Sequence, residues 1–140
     1  MHPVGLALGS FDMFHVGHLS ALRQASPLTA RLVIAVAADA LVASRYGREP
    51  RVAEDERVEV LGAFYPEAVI EIVATDEAAV LAKHFDAGAA FVCGPVIDPP
   101  VESPFQVGGM VVVPLRYEMT TSASLLKSLE SDVLWLPAGP

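Results

Sequence analysis

Short β-branched or apolar runs alternate along this chain with stretches whose apolar positions recur every three or four residues. The short runs are Val4 to Leu8, Leu32 to Ala37, Val69 to Val73, Ala90 to Cys93 and Met110 to Pro114. Their length and β-branched content predict five strands, and the second is apolar throughout, as strands covered on both faces are. Helical spacing fills the intervals. Gly17 to Ala25 carries Leu19 and Leu22, and Ala53 to Phe64 carries Val58, Leu61 and Phe64. Asp76 to Phe85 opens on acidic residues, which suit a helix N-terminus, and repeats Val80, Leu81 and Phe85. Ser122 to Leu129 closes the series with Leu125, Leu126 and Leu129.

Strands alternating with helices predict βαβ crossovers, and so an α/β fold with a parallel five-stranded sheet and helices on both faces. We place one domain over residues 1–131 and an apolar C-terminal tail over 132–140, suited to docking on the domain or on a second subunit. Pro95 to Pro104 holds four of the eleven prolines and reads as an irregular surface loop. Ligands of parallel sheets bind beyond the carboxyl ends of the strands. The loops to search are Gly9 to Val16, Ala38 to Val52, Gly94 to Gly109 and Leu115 to Thr121.

The first of these carries the densest chemistry, Gly9-Ser10-Phe11-Asp12-Met13-Phe14-His15-Val16-Gly17-His18. Two histidines flank a glycine where a strand gives way to a helix. Unpaired N–H groups at a helix N-terminus favour an anion, two imidazoles add donors, and Gly17 lets a phosphate approach the backbone. The combination predicts a polyphosphate site, with helix capping or core filling as the alternative role for the two histidines. Zinc fits less well, because only Asp12, His15 and His18 lie close together in sequence. Neither G-x-x-x-x-G-K-[ST] nor G-x-G-x-x-G is present.

Gly-Ser-Phe-Asp-x-x-His-x-Gly-His resembles the first signature of the cytidylyltransferase-like nucleotidyltransferases, a family that includes glycerol-3-phosphate and phosphocholine cytidylyltransferases. The resemblance extends to about Leu129. It implies a Rossmann-like domain that binds a nucleoside triphosphate through Gly9, Ser10, Phe11, Asp12 and Gly17, with His15 and His18 catalytic. Asp12 would orient its loop by accepting backbone N–H bonds. Magnesium would be carried by the triphosphate rather than by protein side chains, and the protein would be a homodimer.

Arg45-Tyr46-Gly47-Arg48-Glu49-Pro50-Arg51 sets three arginines in seven residues. The segment reads either as a solvated loop or as an arm closing over an anion. In the family an arginine or lysine here reaches the reacting phosphates, and Arg45 matches best. Arg48 and Arg51 are then acceptor-binding candidates. Arg57 matches a helix arginine of the family and would serve equally as a helix-face salt bridge. Arg116, followed by Thr121 and Ser122, resembles the family's arginine and hydroxyl turn for the β and γ phosphates. By their residue types alone, those hydroxyls are an N-cap signal.

Two departures bear on specificity. Where the cytidylyltransferases read Gly-Asp-Asp-Trp or similar near the base, this chain has Gly94 followed by Pro95-Val96-Ile97-Asp98. The family's Arg-Tyr-Val-Asp becomes Tyr65-Pro66-Glu67-Ala68. The expected activity is CMP transfer from CTP to a small phosphate- or phosphonate-bearing acceptor, with release of pyrophosphate. Adenylyl transfer from ATP and an inactive nucleotide-binding protein are the alternatives.

Composition narrows the surroundings. With 9 Lys+Arg against 17 Asp+Glu, a formal charge of -8 argues against nucleic acid or an anionic membrane surface as partner. One cysteine, Cys93, excludes an internal disulfide framework. No apolar run approaches the roughly 20 residues of a membrane span. Met1-His2-Pro3 precedes only a short apolar run, so a cytoplasmic protein without membrane insertion is expected.

Overall fold

The computed structural model describes residues 1–94, 101, 103–117 and 132–139. Strand β1 (His2–Gly9) leads through helix α1 (Val16–Ala25) and a 3-10 turn (Ser26–Leu28) into β2 (Thr29–Ala37). Helices α2 (Asp39–Tyr46) and α3 (Glu54–Phe64) precede β3 (Val69–Val73), then α4 (Ala78–Phe85), β4 (Ala89–Val92), β5 (Phe105–Val107) and β6 (Met110–Pro114). The predicted helix Ser122 to Leu129 lies outside the described residues.

Among the described residues the strands form one six-stranded sheet in the order β3-β2-β1-β4-β6-β5. Strand β1 pairs in parallel on both sides, Leu6 lying opposite Val33 of β2 and Ala90 of β4. The chain winds outward from β1 to β3, then returns to the other side of β1 to lay down β4. The strand order therefore reverses between β1 and β4, the place where sheets of this Rossmann-like kind bind ligands.

Alternate residues of each strand enter different cores. Leu6, Leu8, Val33, Ala35 and Ala90 meet Val42 of α2 and Leu81 of α4 on one face. Ala7, Ile34, Val36 and Phe91 meet Ala21 and Leu22 of α1 and Leu61 of α3 on the other. Two-sided burial explains why these strands are apolar runs rather than alternating ones.

The sheet has one strand more than the five expected. Strand β5 runs antiparallel to β6 with Val107 opposite Met110, turning at Gly108 and Gly109, whose φ values are 56° and 89°. Two adjacent positive-φ glycines suit a two-residue hairpin turn. Three residues of an exposed edge strand are too few to show a period. Helix α2 also replaces part of the expected loop from Ala38 to Val52. It has eight residues, buries only Val42 and stops at Gly47 with φ 72°, so no apolar stripe announces it. Arg45 accordingly stands on the last turn of a helix.

The segment 132–139 packs into the domain. Val133, Leu134 and Trp135 are 3%, 0% and 0% exposed, so each has the burial of a core side chain. Apolar burial of that kind is worth about 1.5–3 kcal/mol per residue. Farther on, Ala138 donates to the Asp76 carbonyl, and its own carbonyl accepts from the Ala78 N–H at the start of α4.

Candidate active site

The β1–α1 junction is built by its two histidines capping each other. His15 is the N-cap of α1, and its Nδ1 accepts the Gly17 N–H at 3.0 Å. His18, at the third helical position, accepts the His15 N–H on its own Nδ1 at 3.1 Å. This is the reciprocal arrangement of a capping box, made with imidazoles. An Nδ1 that accepts carries no proton, so each neutral ring holds its proton on Nε2. The helix terminus thereby selects the tautomer of both residues. The rings lie 4.1 Å apart, and His18, fully buried, stacks on Phe14 at 5.5 Å.

Gly17 has a packing reason to be glycine. A Cβ there would come within 2.8 Å of His15 Cε1 and 3.0 Å of its Nδ1. The turn before it carries strain, because Phe11 and Met13 hold φ values of 54° and 53°. Bulky residues rarely occupy that region, and such conformations concentrate at functional loops. Phe11 is fixed there by burial, its ring 5.4 Å from His18.

Burial lowers the His15 pKa to about 4, with the neighbouring His18 adding to the effect. At neutral pH His15 is a neutral hydrogen-bond donor. In the unfolded chain it takes up its proton near 6.5, so between those values the unfolded state binds more protons. The contribution to stability is whole above about 6.5 and is progressively lost as pH falls toward 4. The expected result is a urea midpoint that falls over this window and a shallower fall in His15→Asn, which retains a capping oxygen. Matching pH profiles for the two proteins would contradict the assignment.

Asp12 joins the junction to the basic loop. Its Oδ2 accepts the Arg51 N–H and its Oδ1 the Val52 N–H, each at 2.9 Å, while the Ser10 hydroxyl accepts the Asp12 N–H at 3.2 Å. The Arg48 guanidinium lies 3.8 Å from the same carboxylate and 5.6 Å from the Tyr46 ring centroid. Arg51 is exposed beside this clamp.

Beneath it lies Arg57, 1% exposed. Its Nε donates to the Val52 carbonyl at 2.9 Å, and its Nη1 to the carbonyls of Ser10 at 2.6 Å and Ala37 at 2.7 Å. Its Nη2 donates to Asp39 Oδ1 at 2.7 Å. One buried cation thus ties together the chain leaving β1, the end of β2, the start of α2 and the basic loop. By sequence Arg57 is expected to meet a ligand or a helix-face partner. Its observed acceptors are mostly backbone carbonyls, which spacing along the chain does not reveal. Phe11, Met13, Phe14, His15, Val52, Arg57 and Val60 line a cleft of ≈ 430 Å³ beside this hub.

Other expected site residues fall elsewhere. Arg45 binds Asp132 at 3.2 Å and Asp76 at 3.6 Å, and its guanidinium sits 4.3 Å from the Trp135 ring centroid. The Arg116 backbone exchanges two hydrogen bonds with the Gln24 amide, 2.9 and 2.7 Å, on the last turns of α1. Gln24 is six residues beyond His18, roughly 9 Å along the helix axis. Gly9 adjoins the junction, and Gly94 follows β4. Thr121 and Ser122 lie outside the described residues. Cys93 is buried and donates to the Arg116 carbonyl at 3.6 Å, a structural role rather than a nucleophile's. No group of three or more metal-binding side chains occurs among the described residues. None of the described helices is long and apolar enough to cross a membrane.

A doubly wound sheet with a strained, histidine-capped turn beside its switch point defines a Rossmann-like α/β domain. The chain belongs to the cytidylyltransferase-like family of nucleotidyltransferases, whose sequence model matches residues 6–136. It is 49% identical over 55 residues to an FAD synthase of Thermococcus sibiricus, covering 39% of this chain and 37% of that protein. It is 44% identical over 70 residues to the bifunctional protein HldE of Koribacter versatilis, covering 49% of this chain and 14% of that one. These matches span well under half the length of either relative. In fold, the chain is similar to a lipopolysaccharide core biosynthesis protein from Thermoplasma volcanium. The TM-score is 0.64 and the identity 17%, over 86% of this chain and 99% of that one.

Proposed function

We propose that this protein transfers a nucleotidyl group from a nucleoside triphosphate to the phosphate of a small acceptor. The observation that carries the reading is the reciprocal histidine cap, which holds two imidazoles against each other at a helix N-terminus near the switch point. An acceptor phosphate oxygen attacks the α-phosphorus and forms the new P–O bond. The bond to the β-phosphate oxygen breaks, and pyrophosphate leaves with its electron pair. The acceptor phosphate is already ionised near neutral pH, so alignment and charge stabilisation replace a strong base. His15 and His18 donate to the triphosphate. Arg48 and Arg51, on the loop that Asp12 holds, offset repulsion between the two anions.

Magnesium enters with the triphosphate as part of the substrate. Asp12 fits a resident metal poorly, because each of its oxygens already accepts a backbone N–H. The cleft beside His15, walled by Phe11, Met13, Phe14, Val52 and Val60, suits the carbon portion of an acceptor with an apolar or planar group.

ATP is the donor we propose. The missing acidic pair after Gly94 removes the cytidylyltransferases' contact to cytosine, and FAD, the product named for several relatives, contains an adenylyl group. CTP is the second reading, favoured by the first signature's likeness to the cytidylyltransferases. Pyrophosphate release, measured with each triphosphate against riboflavin 5′-phosphate and glycerol 3-phosphate, separates them. Release with ATP and the flavin phosphate is expected. Release only with CTP would reverse the choice of donor.

A further inference from the structure

Strands β1 and β4 pair at Gly5, Leu6 and Ala7, and beyond Ala7 the C-terminal segment enters between them. Leu134 makes an antiparallel bridge with Cys93, while the Trp135 N–H donates to the Leu8 carbonyl at 2.6 Å. The N–H groups of Val133 and Leu134 both reach the Cys93 carbonyl, at 2.9 and 2.8 Å. Residues 132–135 are thus a strap wedged into the switch point. The strap also touches the signature. A Cβ on Gly9 would come within 2.8 Å of the Val133 carbonyl oxygen, and one on Gly17 would lie 3.4 Å from Val133 Cγ2.

Two residues at the end of α2 hold this strap. Arg45 pairs with Asp132 at one end and covers the Trp135 ring at the other, with Asp76 as a second carboxylate partner. The Trp135 Nε1–H donates to the Tyr46 hydroxyl at 3.0 Å. A plug that gives way to ligand would be weakly packed. This strap contributes Val133, Leu134 and Trp135 to the two cores, so it is a permanent part of the wall.

We infer that the strap 132–135 forms the floor of the triphosphate site, and that Arg45 is a positioning residue acting through it rather than a group on the reacting phosphates. The inference rests on the nucleotidyl-transfer reading for its ligand. It rests on the geometry alone for the anchoring.

Arg45→Met and Arg45→Lys test it on the full chain with Mg·ATP and amide hydrogen exchange. Arg45→Met is expected to weaken Mg·ATP binding and raise its KM roughly tenfold while kcat stays within about twofold, a loss of binding rather than of chemistry. Exchange at Leu134 and Trp135 should quicken about tenfold as the strap opens locally. Arg45→Lys, which keeps the charge beside Asp132, should restore most of both. Unchanged exchange and affinity in Arg45→Met would overturn the inference. So would a collapse of kcat with the strap still protected, which would put Arg45 on the phosphates. If the unaltered protein binds neither ATP nor CTP, the nucleotidyl-transfer reading fails, and the exchange experiment still decides whether Arg45 anchors the strap.

Discussion

Replacing His18 with alanine is expected to lower turnover by about 10² or more, the usual loss on removing a donor aimed at developing phosphate charge. The substitution removes two things. One is the Nε2–H donor, and the other is the Nδ1 acceptor that satisfies the His15 N–H at 3.1 Å. Loss of a capping acceptor costs about 1 kcal/mol, small beside the catalytic effect. His18→Gln separates the contributions, because glutamine at the third helical position is a natural capping-box residue and its amide still donates. It should melt close to the unaltered protein and retain more turnover than alanine. A folded His18→Ala protein with full turnover would remove His18 from the chemistry.

Arg57→Met should be the most destabilising single change at the site. It leaves the carbonyls of Ser10, Ala37 and Val52 and the Asp39 carboxylate without the cation they share. Breaking a buried charged network in this way costs about 3–5 kcal/mol, a large part of the roughly 5–15 kcal/mol that holds a domain together. At roughly 3 °C per kcal/mol for a domain of this size, the melting temperature should fall by about 10 °C. Arg57→Lys should recover only part, since an ammonium lacks the planar fork that reaches acceptors on several elements at once. A melting temperature unchanged in Arg57→Met would mean that Arg57 is not the hub described.

What the sequence reveals follows from how local each feature is. β3 and β6 match their predicted limits end to end, because both are short runs rich in β-branched residues, interrupted in β3 only by the exposed Glu71. β5 and α2 escape notice because they are short and bury little. The histidine turn is legible because its partners lie within three residues, at a junction that strand and helix patterns locate independently. Arg57 reaches carbonyls 20 and 47 residues away, and Arg45 finds Asp132 at a separation of 87. Contacts of that range are set by the fold. The family resemblance implies a phosphate contact for Arg45 and leaves Arg57 open between a ligand and a salt bridge, whereas their observed partners are carbonyls, carboxylates and an indole.

The histidine-capped turn is the proposed seat of the nucleoside triphosphate. Calorimetric titration of Mg·ATP, Mg·CTP, Mg·GTP and Mg·UTP into the purified protein tests it most directly. Saturable binding, strongest for Mg·ATP and weakened in His18→Ala, is the predicted result. No heat of binding from any of the four would contradict the account.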